Sequence, residues 1–206
     1  MSSRHVVGLA PSVELVRNVW RRARPDLEIE ASAIGQRPDF TFDETSFVAT
    51  CAVDVALFVA IDNRFLNFKR LELMQILGSR GYRFDRIIGQ HAIIGEEATL
   101  GDNVMIGEGA VIGDGAVIGH GVCIGARAVI GPTAIVEPGV WIEPGAVIGA
   151  GATIGTQTSV ASGVVVAGGI EVGALCLLGV PGLIRRPVED RTYFHPAFQE
   201  PIRILD

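Results

Sequence analysis

The stretch AVIGDGAVIGHGVCIG, residues 110–125, repeats a unit of six residues in which an isoleucine is followed by a glycine. The pattern continues in both directions, because an aliphatic residue occupies every sixth position from Ile88 to Leu178. A small or β-branched residue stands two positions earlier in each unit from Ala92 to Cys176. A period of six does not match a helical turn, but it suits a short strand followed by a turn. Alternate residues of a strand share a face, so each aliphatic residue and its small partner should point inward.

The six-residue repeat predicts the fold class. Hexapeptide repeats are typical of parallel β-helices, and glycine suits tight corners that tolerate few side chains. The spacing resembles that of the hexapeptide-repeat acyltransferases, whose triangular left-handed coils take three repeats each. This resemblance implies a mainly β chain, a left-handed parallel β-helix of about five coils, with a small α/β domain before it.

The outward residues of the repeat predict a partner. With three repeats per coil, the residues that precede the aliphatic positions separate into three faces. Two of these faces are largely apolar, and two different apolar patches that meet head to tail close into a ring, which predicts a homotrimer. The alternative is that the chain's own ends cover one of them. The first face holds Ile93, Val111, Val129, Val147 and Val165; the second holds Ile87, Met105, Cys123, Trp141, Ser159 and Leu177; the third, most polar, holds Thr99, Val117, Ile135, Thr153 and Glu171.

Composition shifts along the chain predict three parts. Residues 1–86 read as a small α/β, Rossmann-like substrate domain, residues 87–180 as the β-helix and residues 181–206 as a capping tail. In the first part, HVVGLA, EIEASA and VALFVAI predict strands, and PSVELVRNVWRRARPDL and NFKRLELMQILGSRG predict helices. The most apolar run, residues 46–61, is interrupted by Asp54 and too short to span a bilayer, so we interpret it as buried strand.

The totals exclude several classes of function. The 206 residues carry a net charge of −6 and are 49% hydrophobic, which is typical of a globular chain without a nucleic-acid-binding or membrane-inserting character. No signal peptide is apparent in MSSRHVVGLAPS. The three cysteines contain no CxxC pair, which favours a reduced, cytoplasmic setting.

Three stretches resemble the nucleotide-sugar acyltransferases that include bacillosamine, perosamine and sialic-acid acetyltransferases. They are the link VALFVAIDNRFLNFKRLELMQILGSRGYRFDRIIGQHAIIGEEATLG, the hexapeptide run, and the exit GVPGLIRR at residues 179–186. The resemblance implies an enzyme that transfers an acetyl group from acetyl-CoA to an amino or hydroxyl group of a sugar, which is nucleotide-linked. It implies no metal and a place in bacterial surface glycan synthesis.

The same resemblance assigns His120 as the general base, because the family places a histidine in the turn after a mid-column strand. Imidazole suits this work since its pKa lies near neutral pH. The alternative is a solvated corner residue. The sequence departs from the family at two positions near His120. Gly121 replaces the family's acid, and Pro138 replaces a glycine whose N–H could stabilise an oxyanion.

Stacking of the coils predicts substitutes for the missing acid. Asp102 lies eighteen residues before His120 and Glu137 seventeen after it, so both should neighbour the ring from adjacent coils. Either carboxylate could orient the imidazole and raise its pKa. The alternative is that both are ordinary exposed corner charges.

Ligand contacts are carried over by spacing from the same family. For acetyl-CoA they fall at Val129, Ala150, Gly168, Pro181 and Arg185. The arginine is expected to pair with a phosphate of the cofactor, and the alternative is that it belongs only to a solvated basic turn. For the sugar substrate they fall at Asp62 and Asn63 in AIDNR, where an N-cap role is the alternative. The usual glycine-rich phosphate turn is reduced to GLAPS.

Two other classes of function compete with the enzyme. The first is a catalytically silent β-helical scaffold or binding module, favoured by Gly121 and Pro138. The second is a β-helical carbonic anhydrase, which needs three converging histidines and is disfavoured because the column holds only His91 and His120.

Overall fold

The computed structural model describes residues 4–63 and 67–204. Its N-terminal elements are β1 (Arg4–Gly8), α1 (Ser12–Ala23), β2 (Ile29–Ala33), β3 (Gly35–Gln36), β4 (Phe42–Asp43), α2 (Thr45–Thr50), β5 (Ala56–Ala60), α3 (Phe68–Ser79) and β6 (Arg83–Phe84). The solenoid follows with β7 (Ile87–Ile88), β8 (Ile93–Ile94), β9 (Thr99–Leu100), β10 (Met105–Ile106), β11 (Val111–Ile112), β12 (Val117–Ile118), β13 (Cys123–Ile124), β14 (Val129–Ile130), β15 (Ile135–Val136), β16 (Trp141–Ile142), β17 (Val147–Ile148), β18 (Thr153–Ile154), β19 (Ser159–Val160), β20 (Val164–Val166), β21 (Glu171–Val172), β22 (Leu177–Leu178), β23 (Gly182–Ile184), β24 (Thr192–Phe194) and β25 (Ile202–Arg203).

The predicted left-handed parallel β-helix is confirmed, and it has about six turns where the repeat count gave about five. Its strands from β7 to β23 form three parallel sheets in which each strand pairs with the one eighteen residues away, as Met105 does with Cys123 and Cys123 with Trp141. These sheets are the three faces. The first face is the sheet β23-β20-β17-β14-β11-β8, the second is β25-β24-β22-β19-β16-β13-β10-β7, and the third is β21-β18-β15-β12-β9.

The core of the solenoid consists of the inward residues of the repeat. Ile106, Ile124 and Ile130 are fully buried, and so are the small partners Ala128 and Ala134. Glycine follows the aliphatic residue in most units because the corners of successive coils touch there: a Cβ on Gly125 would lie 2.3 Å from the nitrogen of Pro144. The repeat therefore specifies both the interior and the spacing between coils.

The second face is covered by the chain's own N-terminal part. There a parallel sheet, in the order β2-β1-β5-β6, packs with α1 and α3. The helix α1 buries Val13, Val16 and Trp20, which share one side of a helix, in a cluster that also contains Ile87 of the second face. The interpretation that two apolar faces need partners is therefore wrong for the second face. Periodicity shows which residues point outward, but not which part of the chain covers them.

The apolar run over residues 46–61 is not one buried strand, as the sequence predicted. Its first part forms α2, which buries Phe47, and its last part forms β5. A turn that contains Asp54 separates the two, with the Val55 N–H donating to the Ala52 carbonyl at 3.2 Å. No helix within residues 4–63 and 67–204 is long and apolar enough to cross a membrane.

The last residues of the chain continue the solenoid before they leave it. The strand β23 pairs with β20 on the first face, and β24 pairs with β22 on the second. The final strand, β25, runs antiparallel to β24. The boundaries of the predicted domains, 1–86, 87–180 and 181–206, stay predictions.

The corner contacts predict a sharp difference between two glycines. Gly125→Ala should lower the free energy of unfolding by about 1–3 kcal/mol or more, because its Cβ meets backbone that cannot move aside. Gly35→Ala is the matched control, since the nearest atom to its Cβ is 3.9 Å away, and should change stability by less than about 0.5 kcal/mol. Urea unfolding of both variants measures this, and equal stabilities would contradict it.

Candidate functional site

The candidate site lies where the third face turns into the second. Successive coils bring residues 101–103, 119–121 and 137–139 together at this corner. The Asp102 backbone N–H donates to Nδ1 of His120 at 2.9 Å, and the Asp102 carboxylate lies 3.5 Å from the same nitrogen. The structure thus brings together two of the three residues for which catalytic roles are predicted. Both side chains are more than half exposed, so a ligand can reach them.

The hydrogen bond to His120 indicates which ring nitrogen carries the proton. Since Nδ1 accepts a backbone N–H, a neutral ring carries its proton on Nε2. A base that acts through Nε2 needs the other tautomer, in which Nδ1 is protonated. The Asp102 carboxylate is the acceptor that Nδ1–H would meet, because it lies beside that nitrogen.

His120 also has a structural role that recurs along the column. Asp114 accepts the backbone N–H of Glu96 at 3.2 Å, in the same coil-to-coil relation as His120 and Asp102. Corner nitrogens of the coils have no partner within a strand ladder, and such side chains satisfy them. An acceptor at the position of His120 therefore serves the architecture, whatever else the imidazole does.

The Glu137 carboxylate forms its hydrogen bonds with Thr156, in the following coil. Its Oε2 accepts hydrogen bonds from the Thr156 backbone N–H at 2.9 Å and from the Thr156 hydroxyl at 2.7 Å. The carboxylate thus caps the following coil. Its predicted role toward His120 stays a prediction.

A basic residue that sequence reasoning missed completes this corner. Arg86 donates to the Gly101 carbonyl at 2.7 Å, and its guanidinium lies 3.9 Å from the Asp102 carboxylate. The contact is exposed and contributes little stability by itself. It keeps a positive charge beside the carboxylate that faces His120. Arg86 lies just before the first coil and outside the hexapeptide repeat, so the repeat pattern could not predict its role.

The helix α3 explains why Gly121 follows His120. A Cβ on Gly121 would lie 2.8 Å from Leu71 and 3.1 Å from Met74, both on α3. An acid at this position would have to push the ends of these two side chains aside, on a backbone whose φ of +67° favours glycine, so the packing of α3 disfavours the acid that the resembling family carries.

The backbone above His120 has no N–H to offer an oxyanion. Pro138 lacks the N–H, and the Gly139 N–H already donates to the His120 carbonyl at 2.9 Å. An oxyanion at this corner must therefore find its donor elsewhere.

The predicted acetyl-CoA contacts border the first face, away from His120. Val129 lies on that face in β14, and Ala150, Gly168 and Arg185 follow β17, β20 and β23 at its corner with the third face. Pro181 lies at the opposite edge of the first face, where it precedes β23. None of these positions shares the corner of His120 within one chain.

The predicted substrate residues follow the end of β5. Asp62 lines a cavity of about 70 Å³ between the β1–α1 turn and α3. Asn63 is half-buried beside it. The N-cap alternative for these two residues is wrong for α3, because Asn67 occupies the N-cap position of that helix, without a capping hydrogen bond from its side chain. The cavity is also lined by Leu9, Ala10, Ser12, Gln36, Ile61 and Lys69.

Other polar clusters on the chain do not form a metal centre. Over residues 4–63 and 67–204, no group of three His, Cys, Asp or Glu side chains could hold a metal ion. All three cysteines are free thiols, and burial raises the pKa of Cys123.

Comparisons with known proteins place the repeat and the fold. The model of the bacterial transferase hexapeptide (six repeats) matches residues 97–132 and 133–168, so the column is built from the repeat of that class. A search of curated proteins found no match.

Solved structures share the whole architecture. A histidine-to-asparagine variant of perosamine N-acetyltransferase from Caulobacter crescentus, in complex with CoA and GDP-perosamine, is 21% identical with a TM-score of 0.79, over 96% of this chain and 95% of that one. The acetyltransferase domain of PglB from Neisseria gonorrhoeae, in complex with acetyl coenzyme A, is 19% identical with a TM-score of 0.66, over 97% and 100%. WeeI from Acinetobacter baumannii is 16% identical with a TM-score of 0.53, over 97% and 100%. The N-terminal part and the solenoid thus belong to one shared fold.

The hydrogen-bond network predicts the tautomer of the neutral histidine. Long-range ¹H–¹⁵N spectra should show His120 in the Nε2–H tautomer, because the Asp102 N–H occupies Nδ1. Asp102→Asn is the control: it keeps the backbone donor, so the tautomer should not change. A spectrum dominated by the Nδ1–H form would contradict the prediction. Absence of the signal in His120→Asn gives the assignment.

Proposed function

We propose that this protein transfers an acetyl group from acetyl-CoA to an amino or hydroxyl group of a nucleotide-linked sugar, in the synthesis of bacterial surface glycans. One observation carries the proposal: the chain matches, over nearly its full length, a fold that in another protein holds CoA and GDP-perosamine. The accessible imidazole of His120 beside Asp102 supplies the chemistry that such a transfer needs.

His120 acts as general base in the proposed reaction. Its Nε2 takes a proton from the sugar amine or hydroxyl as that atom bonds to the thioester carbonyl carbon. The carbon–sulfur bond then breaks, and the CoA sulfur leaves and receives the proton. For this step the Nδ1 proton must face the Asp102 carboxylate, which stabilises the imidazolium that forms. The Glu137 carboxylate, in the adjacent coil, is proposed to stabilise the same imidazolium.

A homotrimer is part of the proposal. The acetyl-CoA contacts expected at Val129, Ala150, Gly168, Pro181 and Arg185 border a different corner from His120, so a complete site needs two chains. The first face supports this, because Ile93 is 62% and Val165 37% exposed, while the other three apolar residues of the face are half-buried. The free thiols favour a reducing, cytoplasmic setting.

A catalytically silent scaffold or binding module is the second candidate. Two observations favour it: residues 138 and 139 offer no N–H to an oxyanion, and Nδ1 of His120 serves as a structural acceptor. In this candidate acetyl-CoA or a sugar nucleotide binds without turnover.

An enzyme assay distinguishes the proposed role of His120 as general base from its structural role as acceptor of the Asp102 N–H. Thiol release from acetyl-CoA, measured with a panel of amino-sugar nucleotides, should fall by about 10²–10⁴-fold in kcat/KM for His120→Asn. This variant keeps a side-chain acceptor for the Asp102 N–H but has no base. The control Asp114→Ala removes an equivalent cap elsewhere and should keep wild-type activity.

Two outcomes would contradict the enzyme. Full activity in His120→Asn removes His120 as base. Protection of the wild type by acetyl-CoA in a thermal melt, without turnover on any acceptor, favours the silent module.

The proposed trimer predicts that the first face is sensitive to charge. Val165→Glu should shift the protein from trimer to monomer in light scattering, because it buries a carboxylate in an apolar contact. The matched control is Ile135→Glu on the third face, at 42% exposure against 37% for Val165, which should stay trimeric. A wild type that is monomeric at micromolar concentration would refute the trimer.

A further inference from the structure

One side chain of α3 links the N-terminal part to the corner of His120. Arg70 is fully buried. Its Nε donates to the Gly121 carbonyl at 2.8 Å, Nη1 to the Ile61 carbonyl at 3.2 Å and Nη2 to the Gly139 carbonyl at 3.1 Å. All three nitrogens of the guanidinium are therefore bonded to backbone.

The environment of Arg70 is costly for a cation. Within residues 4–63 and 67–204 no acidic side chain forms an ion pair with it. Its charge is balanced by carbonyl dipoles and by the Trp141 ring, whose centroid lies 5.2 Å away. Burial lowers the pKa of Arg70, against smaller opposite effects of Cys123 and Asp62. An apolar residue of similar length would avoid this desolvation but would leave three carbonyls without a donor, so the arginine at this position serves to hold those carbonyls.

The three acceptors of Arg70 are placed on either side of the candidate site. Gly121 follows His120 directly, and Gly139 donates its own N–H to the His120 carbonyl at 2.9 Å. Ile61 precedes Asp62, which lines the small cavity of the N-terminal part. One planar group thus fixes the corner of His120 and the corner one coil further on relative to the end of β5.

We propose that Arg70 is a positioning residue for the acetyl transfer, which holds the His120 corner at a fixed distance from the substrate residues after β5. This inference rests on the proposed function. Arg70 does not touch the reacting atoms, since it is buried behind the corner. A guanidinium suits the role because its rigid fork holds three carbonyls in one plane, whereas a lysine ammonium cannot span them.

Kinetics of Arg70→Met and Arg70→Lys test the proposal. Both variants should fold with a lower Tm than the wild type, because α3 keeps its apolar contacts while the three carbonyls lose donors. The kcat should fall about 10–100-fold, since a small displacement of the base disrupts the attack geometry. The KM for acetyl-CoA should stay within about twofold, because the predicted cofactor residues lie at another corner. Asn67→Gly is the matched control: Asn67 is also buried in this junction, bonds to Ser159 at 3.2 Å and has a left-handed backbone that glycine accepts, and this variant should keep kcat.

A readout independent of turnover separates this inference from the proposed function. The His120 imidazole signals should shift in Arg70→Met and not in Asn67→Gly. If the wild type turns over no acceptor, the proposed function fails while these signals still decide whether Arg70 positions the ring. Unchanged kcat with unchanged signals overturns the proposal. Unfolding of both Arg70 variants assigns the residue to folding alone and overturns it as well.

Discussion

The close contact between successive corners of the β-helix is the constraint on which the rest of the structure depends. A Cβ on Gly119 would lie 2.6 Å from the Pro138 nitrogen, so the residue after the aliphatic position has almost no room for a side chain in the coils where it is glycine. The next residue is the first at the corner that can project outward. His120, Asp102 and the residue at 138 therefore stand in one column, one coil apart. The geometry that holds the coils together also decides where the column can carry chemistry.

The same corners create a competition for the histidine. Each corner exposes backbone N–H groups that no strand ladder satisfies, and Asp114 and Glu143 show how acidic side chains satisfy them. An acidic residue has two oxygens and can satisfy such a group without losing its other functions. An imidazole has only one lone pair when neutral, so a cap on Nδ1 places the proton on Nε2. Catalysis at His120 requires that the Asp102 carboxylate compete successfully with the Asp102 N–H for the same nitrogen.

The repeat allowed the sequence to predict the three faces, their register and the neighbourhood of Asp102 and His120, because stacking at a fixed period depends only on spacing. It could not predict that α1 covers the second face, since an apolar outward residue such as Met105 looks the same whether its own chain or another covers it. Arg70 was missed for a related reason: in sequence it is one of several basic residues on a helix, and its role follows from three carbonyls far apart in the chain. The tautomer of His120 depends on hydrogen-bond angles that no pattern encodes.

The departures of this chain from the resembling family are linked through α3. Leu71 lies so close to Gly121 and Gly139 that a Cβ on either would meet its methyl groups at 2.8 Å, which disfavours an acid directly after His120. The adjacent Arg70 fills the space behind those two glycines and binds their carbonyls. An acid at residue 121 would therefore disturb both the apolar contact and the buried guanidinium, whereas Asp102, one coil away, disturbs neither. The absence of an acid at residue 121 thus agrees with the close packing of the N-terminal part on the column, and it does not by itself indicate a lost site.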